Sequence, residues 1–239
     1  MAGLAGRRRR TRRVDLGGCD PELALWQIAD SALPVGTFTH SFGLEDAIQA
    51  GRVRDEVDVA RWFEEFLHDQ VSTTDLLAIR LAGEGVPLAE LDALLTASMP
   101  ARENREASRS MGARLIEIGA ECFPGPPIDD YAAAVTDGRL VGHYCLAYAA
   151  ICLGLRIDVP RAQRAYVSAL VIGLTQNAVR AVPLGQAAGQ RVITALHPAM
   201  TAAVERAAVL PPELLGAAMP ALEIAQMRHE TQHARMFMS

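Results

Sequence analysis

The sequence predicts an all-α protein, a single domain of about ten helices packed in the manner of a bundle. Three observations carry that prediction. Alanine and leucine supply 41 and 27 of the 239 residues, while Phe, Trp and Tyr together make up only 5%, a mix that favours helices over sheets. Helix punctuation such as Asp20-Pro21 and Gly51 recurs along the chain. No segment alternates apolar and polar residues with a period of two for long enough to build a sheet.

The elements follow in order. Asp20-Pro21 supplies an N-cap and first helical position for a helix reaching about Ala29, with Leu23 and Trp26 at helical spacing. Residues 31–41, SALPVGTFTHS, read as a loop. Within it Leu33, Pro34 and Gly36 are the structural residues: Pro34 holds Leu33 extended, and Gly36 is expected at positive φ. A short helix from Phe42 to Ala50 stops at Gly51. Asp55 caps the next, whose apolar stripe is Val59, Trp62, Phe63, Phe66 and Leu67. Helices over about 74–82 and 88–98 flank a break at Gly83 to Pro87.

Residues 101–122 form the clearest amphipathic helix, in which Met111, Leu115, Ile118 and Cys122 step by four, three and four. Pro124-Gly125-Pro126-Pro127 ends it. Val141 to Leu153 and Pro160 to Val182 are apolar nearly all round, as in helices buried in a core or an oligomer interface. Pro183 precedes a helix over about 184–196, and Pro198 opens another that stops at Pro211-Pro212. With no solenoid-type repeat, the helical domain covers 20–239, including a mixed tail at 220–239. An arginine-rich arm, 1–19, is expected to be disordered.

Composition excludes several classes. All 23 basic residues are arginine. Without lysine there is no Walker A motif and no Schiff-base lysine. The net charge of −5, with no basic stripe beyond the arm, argues against a nucleic-acid binder. Arg12-Arg13 and Leu16-Gly17-Gly18-Cys19 resemble a twin-arginine signal and a lipoprotein cleavage box, but only Val14 to Leu16 lies between them, too short for an apolar signal core. The longest apolar run, Tyr144 to Leu155, has 12 residues against the ~20 of a membrane span. No membrane contact and a cytoplasmic location are expected. Cys19, Cys122, Cys145 and Cys152 include no C-x-x-C pair and read as reduced thiols.

The sharpest chemical motif is His229-Glu230-Thr231-Gln232-His233, which matches H-E-x-x-H. On a helix such a pair can bind zinc, with the glutamate as general base. A catalytic zinc needs a third protein ligand. The extended form of the motif would place a glycine and a histidine at 236 and 239, where this chain has Met236 and Ser239. A metal-dependent hydrolase built on His229/His233 therefore stands only as an alternative. No G-x-S-x-G occurs, and His40, His68, His143 and His197 are scattered. His40, beside Ser41, is the best placed of them, with capping or packing as its simpler role. Glu64/Glu65 and Asp129/Asp130 read as solvated faces or caps. The glycine-rich stretches follow no strand, which excludes a dinucleotide site. The residues alone point to a binding or scaffold protein.

Four segments resemble the urease accessory protein UreF family. They are LWQIADSALPVGTFTHSFGLE (25–45), NREASRSMGARLIEIGA (104–120), NAVRAVPLGQAAGQR (177–191) and the tail ending HETQHARMFMS (229–239). They lie in the family's order and span the chain from about residue 23 to its last residue. The resemblance implies an all-helical homodimer acting as a nickel-insertion chaperone, which bridges UreD (also called UreH) and the GTPase UreG to deliver nickel to apo-urease. It implies no catalytic residue and no bound cofactor or nucleotide, nickel being cargo. It places His229, Glu230, Arg235 and Phe237 at the UreD contact, and Arg180, Pro183, Gly185 and Gln186 near the inter-subunit and UreG-facing surface. The chain departs from the family pattern at Thr37, at Met238 and in the arginine arm.

Overall fold

The computed structural model describes residues 17–36, 40–216, 220–229 and 235–237. Its helices are α1 (Pro21–Ile28), α2 (Leu44–Gln49), α3 (Glu56–Phe66), α4 (Asp75–Gly83), α5 (Leu88–Ser98), α6 (Arg102–Cys122), α7 (Pro126–Thr136), α8 (Tyr144–Gly154), α9 (Val159–Ala181), α10 (Gln186–Ala195), α11 (His197–Val209) and α12 (Pro220–His229). A π turn, Leu67–Val71, joins α3 to α4, and a 3₁₀ turn, Pro212–Leu214, follows α11. The described residues contain no strand, and the all-α class stands.

Aspartates set several helix starts. Asp20 accepts the N–H groups of Glu22 and Leu23 at 2.8 and 3.1 Å. Asp55 accepts those of Val57 and Asp58 at 3.0 and 2.9 Å, and Asp158 caps α9 through Arg161. Each bond satisfies a donor that a helix start leaves without a partner.

Two details differ from the sequence reading. Pro124 to Pro127 was read only as the end of α6, yet Pro126 also opens α7, because a proline at the first helical positions forfeits no helical hydrogen bond. Ile128, Tyr131 and Ala134 turn the buried side of α7 inward. Leu23 and Trp26 share helical spacing but face outward, 59% and 62% exposed, while Ala24, Leu25 and Ile28 make the buried side of α1.

The core gathers round α8. Eight of its residues, Cys145 through Cys152, are buried, and it packs against α4, α6 and α7. The all-round apolar surface of α8 is thus covered within one chain. Cys145 and Cys152 are buried free thiols. The Asp92 carboxylate, from α5, accepts the N–H groups of Val141 (2.8 Å), Gly142 (3.0 Å) and His143 (3.4 Å) and the Tyr131 hydroxyl (2.7 Å). Ser108 Oγ, from α6, accepts the Tyr144 N–H at 3.3 Å and meets His143 Nδ1 at 3.0 Å, while Thr96 Oγ1 meets Nε2 at 2.9 Å.

This close assembly explains Gly112. A Cβ there would lie 1.9 Å from the Gly142 carbonyl oxygen. Gly112→Ala is expected to destabilise the chain by about 1–3 kcal/mol, the cost of overpacking. An unchanged urea-unfolding midpoint would remove that account of the α6–α8 contact. Gly36 has φ 89°, which a β-branched residue adopts only under strain. Gly36→Val is expected to cost more than about 1 kcal/mol, read as a lowered circular-dichroism melting midpoint.

Candidate functional site

Segments from the two ends of the chain meet at two carboxylates. Glu45 stands in the first turn of α2 and is 5% exposed. Its Oε1 accepts the Met236 N–H at 2.7 Å, and its Oε2 accepts the Phe237 N–H at 3.0 Å and faces His229 Nε2 at 3.1 Å. Glu103 stands in the first turn of α6. Its Oε2 faces His229 Nδ1 at 2.7 Å and its Oε1 accepts from Arg235 at 2.7 Å. His229, at the end of α12, is fully buried between the two. Both ring nitrogens of His229 thus face carboxylate oxygens, and Arg235 brings a guanidinium to Glu103. Burying such a set demands this pairing, because an unpaired buried charge is costly.

The contacts spread outward from this centre. The Arg180 guanidinium carbon lies 5.4 Å from the centroid of the buried Phe237 ring, a cation–π contact. Arg180 also donates to the Asn177 side-chain carbonyl, and Asn177 Nδ2 donates to the His40 backbone carbonyl at 2.7 Å. Gln226 Nε2, on α12, donates to the Phe42 carbonyl and to Gln70 Oε1, both at 3.1 Å.

The structure therefore brings His229, Arg235, Phe237 and Arg180 into one cluster. Pro183, Gly185 and Gln186 follow Arg180 in the exposed passage from α9 to α10. Leu33, Pro34 and Gly36 sit apart from it, in the turn after α1. Glu230, His233, Thr37 and Met238 lie outside the described residues. The metal-hydrolase alternative needs a free lone pair on His229, and both ring nitrogens face carboxylate oxygens. Glu45 and Glu103 were missed by sequence reasoning. Glu45 stands within the first motif segment and Glu103 one residue before the second, which is the only signal either gave. The tail's outward side joins apolar groups to arginines: Met236 is 60% exposed, Ile224 and Met227, one turn apart on α12, are 44% and 41% exposed, and Arg228 and Arg235 are exposed as well.

Burial shapes the titrating groups. It lowers His40 to about 4, against the opposing pull of Glu103, and lowers His143 against that of Asp92. It raises Asp75 to about 6, although hydrogen bonds from Cys145 and Tyr166 favour the ionised form. Burial also raises Cys145, and takes Cys152 up to about 12, so neither is a thiolate at neutral pH. His40 and Asp75 act oppositely on stability. The His40 contribution is present above 6.5 and is lost as pH falls through about 4; the Asp75 contribution is present below 3.8 and is lost as pH rises through about 6. Asp75→Asn removes the second alone. The variant is expected to lose stability more steeply than the parent on acidification from pH 6.5 to 4, measured by urea unfolding; parallel profiles would contradict this.

The model of the UreF family matches residues 53–197. The urease accessory protein UreF of Arthrobacter sp. (strain FB24) is 52% identical over 218 residues, covering 91% of this chain and 97% of that one. Its counterpart from Paenarthrobacter aurescens (strain TC1) is 50% identical over 218 residues, 91% and 98% of the two chains. That of Corynebacterium glutamicum (strain R) is 43% identical over 223 residues, 92% and 99%.

Proposed function

The chain belongs to the UreF family of urease accessory proteins, and from that premise we propose that it is a nickel-insertion chaperone which bridges UreD (UreH) and the GTPase UreG during delivery of nickel to apo-urease. The observation that carries this reading is the docked tail. Its His229 and Phe237 are turned inward, onto Glu45, Glu103 and Arg180, and its Met236 is turned outward. A segment held in place before it meets a partner loses less conformational entropy on binding. Exposed apolar groups beside a charged rim have the composition of an interface core. UreD is the partner assigned to this face. UreG is assigned to the adjoining surface at Pro183, Gly185 and Gln186, joined to the tail through Arg180.

The proposal includes a homodimer, for which exposed Leu23 and Trp26 on α1 offer apolar surface. Nickel is cargo, and nucleotide hydrolysis belongs to UreG, since this chain has no lysine for a phosphate-binding loop. A cytoplasmic setting accords with the finding that no helix of the described residues is long and apolar enough to cross a membrane.

Co-expression with UreD, UreG and apo-urease tests the reading. The chain is expected to co-purify with UreD and UreG and to be required for nickel-dependent urease activity. Met236→Glu places a charge on the outward face and touches none of the buried pairs. It is expected to weaken UreD capture by at least about tenfold while leaving the melting midpoint unchanged. Full-strength capture by the variant would remove the tail from the interface, and no capture by the parent chain would overturn the bridging role.

A further inference from the structure

A cleft opens between α1, the turn after it, the π turn, α4, α6, α8 and α9, and it shares Phe42 and Gln70 with the contacts of α12. The space open to the centre of a water-sized sphere is ≈ 80 Å³, several times what one water needs. Aromatic groups from four places in the fold, Phe42, Phe66, Tyr144 and Tyr166, contribute to its wall. Two carboxylates line it as well, Asp30 and Asp75, and none of the described residues lining it carries a positive charge. Asp75 lies deep in the fold yet keeps an intermediate exposure, and the surface it keeps opens into the cleft. The groups that bond to it, Cys145 and Tyr166, are neutral. An anion entering here would meet two carboxylates. A cation would supply the charge partner that Asp75 lacks in the cleft, and would gain from the aromatic faces.

A second observation shows that the space is kept open. Gly173 lies in the interior of α9, is buried, and lines the cleft. A Cβ at this position would meet nothing within 4 Å, so no neighbour demands glycine there. Glycine inside a helix costs stability relative to alanine. What its missing side chain leaves is the volume of the cleft.

We propose that this cleft is a binding site for a small organic cation, an ammonium or guanidinium group on an apolar body, with Asp75 as its counter-ion. None of the described side chains assigned to the UreD and UreG contacts lines it. The other titrating groups that face Asp75 are Tyr144 and Cys145 of α8 and Tyr166 of α9, all kept neutral by burial, with Asp30 in the wall at the α1 side. Gln70, Thr74, Asn104 and Ser108 complete the polar lining without titrating. Affinity for the cation therefore falls on acidification through about 6, where Asp75 takes up its proton.

Calorimetric titration of the full chain with benzylamine, benzyl alcohol and benzoate tests the proposal. At pH 7.5 the amine, present as benzylammonium, is expected to bind at least about tenfold tighter than the alcohol, and benzoate not at all. The preference should shrink at pH 5. Asp75→Asn should abolish the preference for amine over alcohol. Gly173→Leu, whose side chain enters open space, should abolish binding of both while preserving the helical circular-dichroism spectrum and melt. It serves as the test should Asp75→Asn fail to fold. Equal binding of amine and alcohol, a preference that survives in Asp75→Asn, undiminished binding by Gly173→Leu, or no binding of the amine would each overturn the assignment.

Discussion

The fold hangs on one buried helix start. A helix interred on all sides, as α8 is, leaves the N–H groups of its first turn and of the chain entering it away from water, where each demands a partner. Asp92 and Ser108 meet that demand at four successive residues, 141 to 144. Because Asp92 belongs to α5, Ser108 to α6 and the hydroxyl that also donates to Asp92 to Tyr131 of α7, the start of α8 fixes three other helices around itself. A carboxylate at this position also suits the partial positive charge of the helix N-terminus. The proximity has a steric consequence, the Gly112–Gly142 contact, which admits no side chain on α6.

α6 carries this constraint to the tail. Its middle holds Ser108 and Gly112 at the α8 start, and its first turn holds Glu103 against His229 and Arg235. Glu45 reaches the same histidine from α2. Two buried carboxylates are tolerated only while their partners stay, so residues 229 to 237 complete a set of polar contacts begun far earlier in the chain. That is a reason for a tail rich in His and Arg where an apolar plug would serve burial alone. In the proposed role, the same lock turns Met236 outward.

The sequence made helical punctuation and periodicity legible, because those signals are local. Asp20-Pro21, Asp55 and the Met111–Leu115–Ile118 spacing needed no knowledge of distant residues. α7 was hidden because its prolines serve two adjacent helices, and the role read was the stop. The site was less legible for a different reason. His229 and His233 four apart suggest a metal pair, but the partners that fix His229 lie 126 and 184 residues away. A buried glutamate looks the same in a sequence as a solvated one. The motif segments were visible as text, and their meaning, that Glu45 of the first receives the backbone of the last, required the fold.

The buried carboxylates differ in how their charge is met. Asp92 takes backbone N–H donors and a tyrosine hydroxyl. Glu45 and Glu103 take a histidine and an arginine, while Asp46 and Asp58 pair with arginines at the surface. Among the described residues Asp75 receives a thiol and a phenol, both weaker partners than a charged donor. Burial then raises its proton affinity, whereas Asp92 already has three N–H dipoles directed at it. A carboxylate so placed, on the wall of a cleft that an unforced glycine holds open, is where an incoming cation finds the most electrostatic work left undone. The tail cluster already pairs its carboxylates internally, so in the proposed role a partner would gain there chiefly from apolar contact. In the proposed roles the two regions differ in chemistry: a protein surface meets the tail, and a small charged ligand enters the cleft.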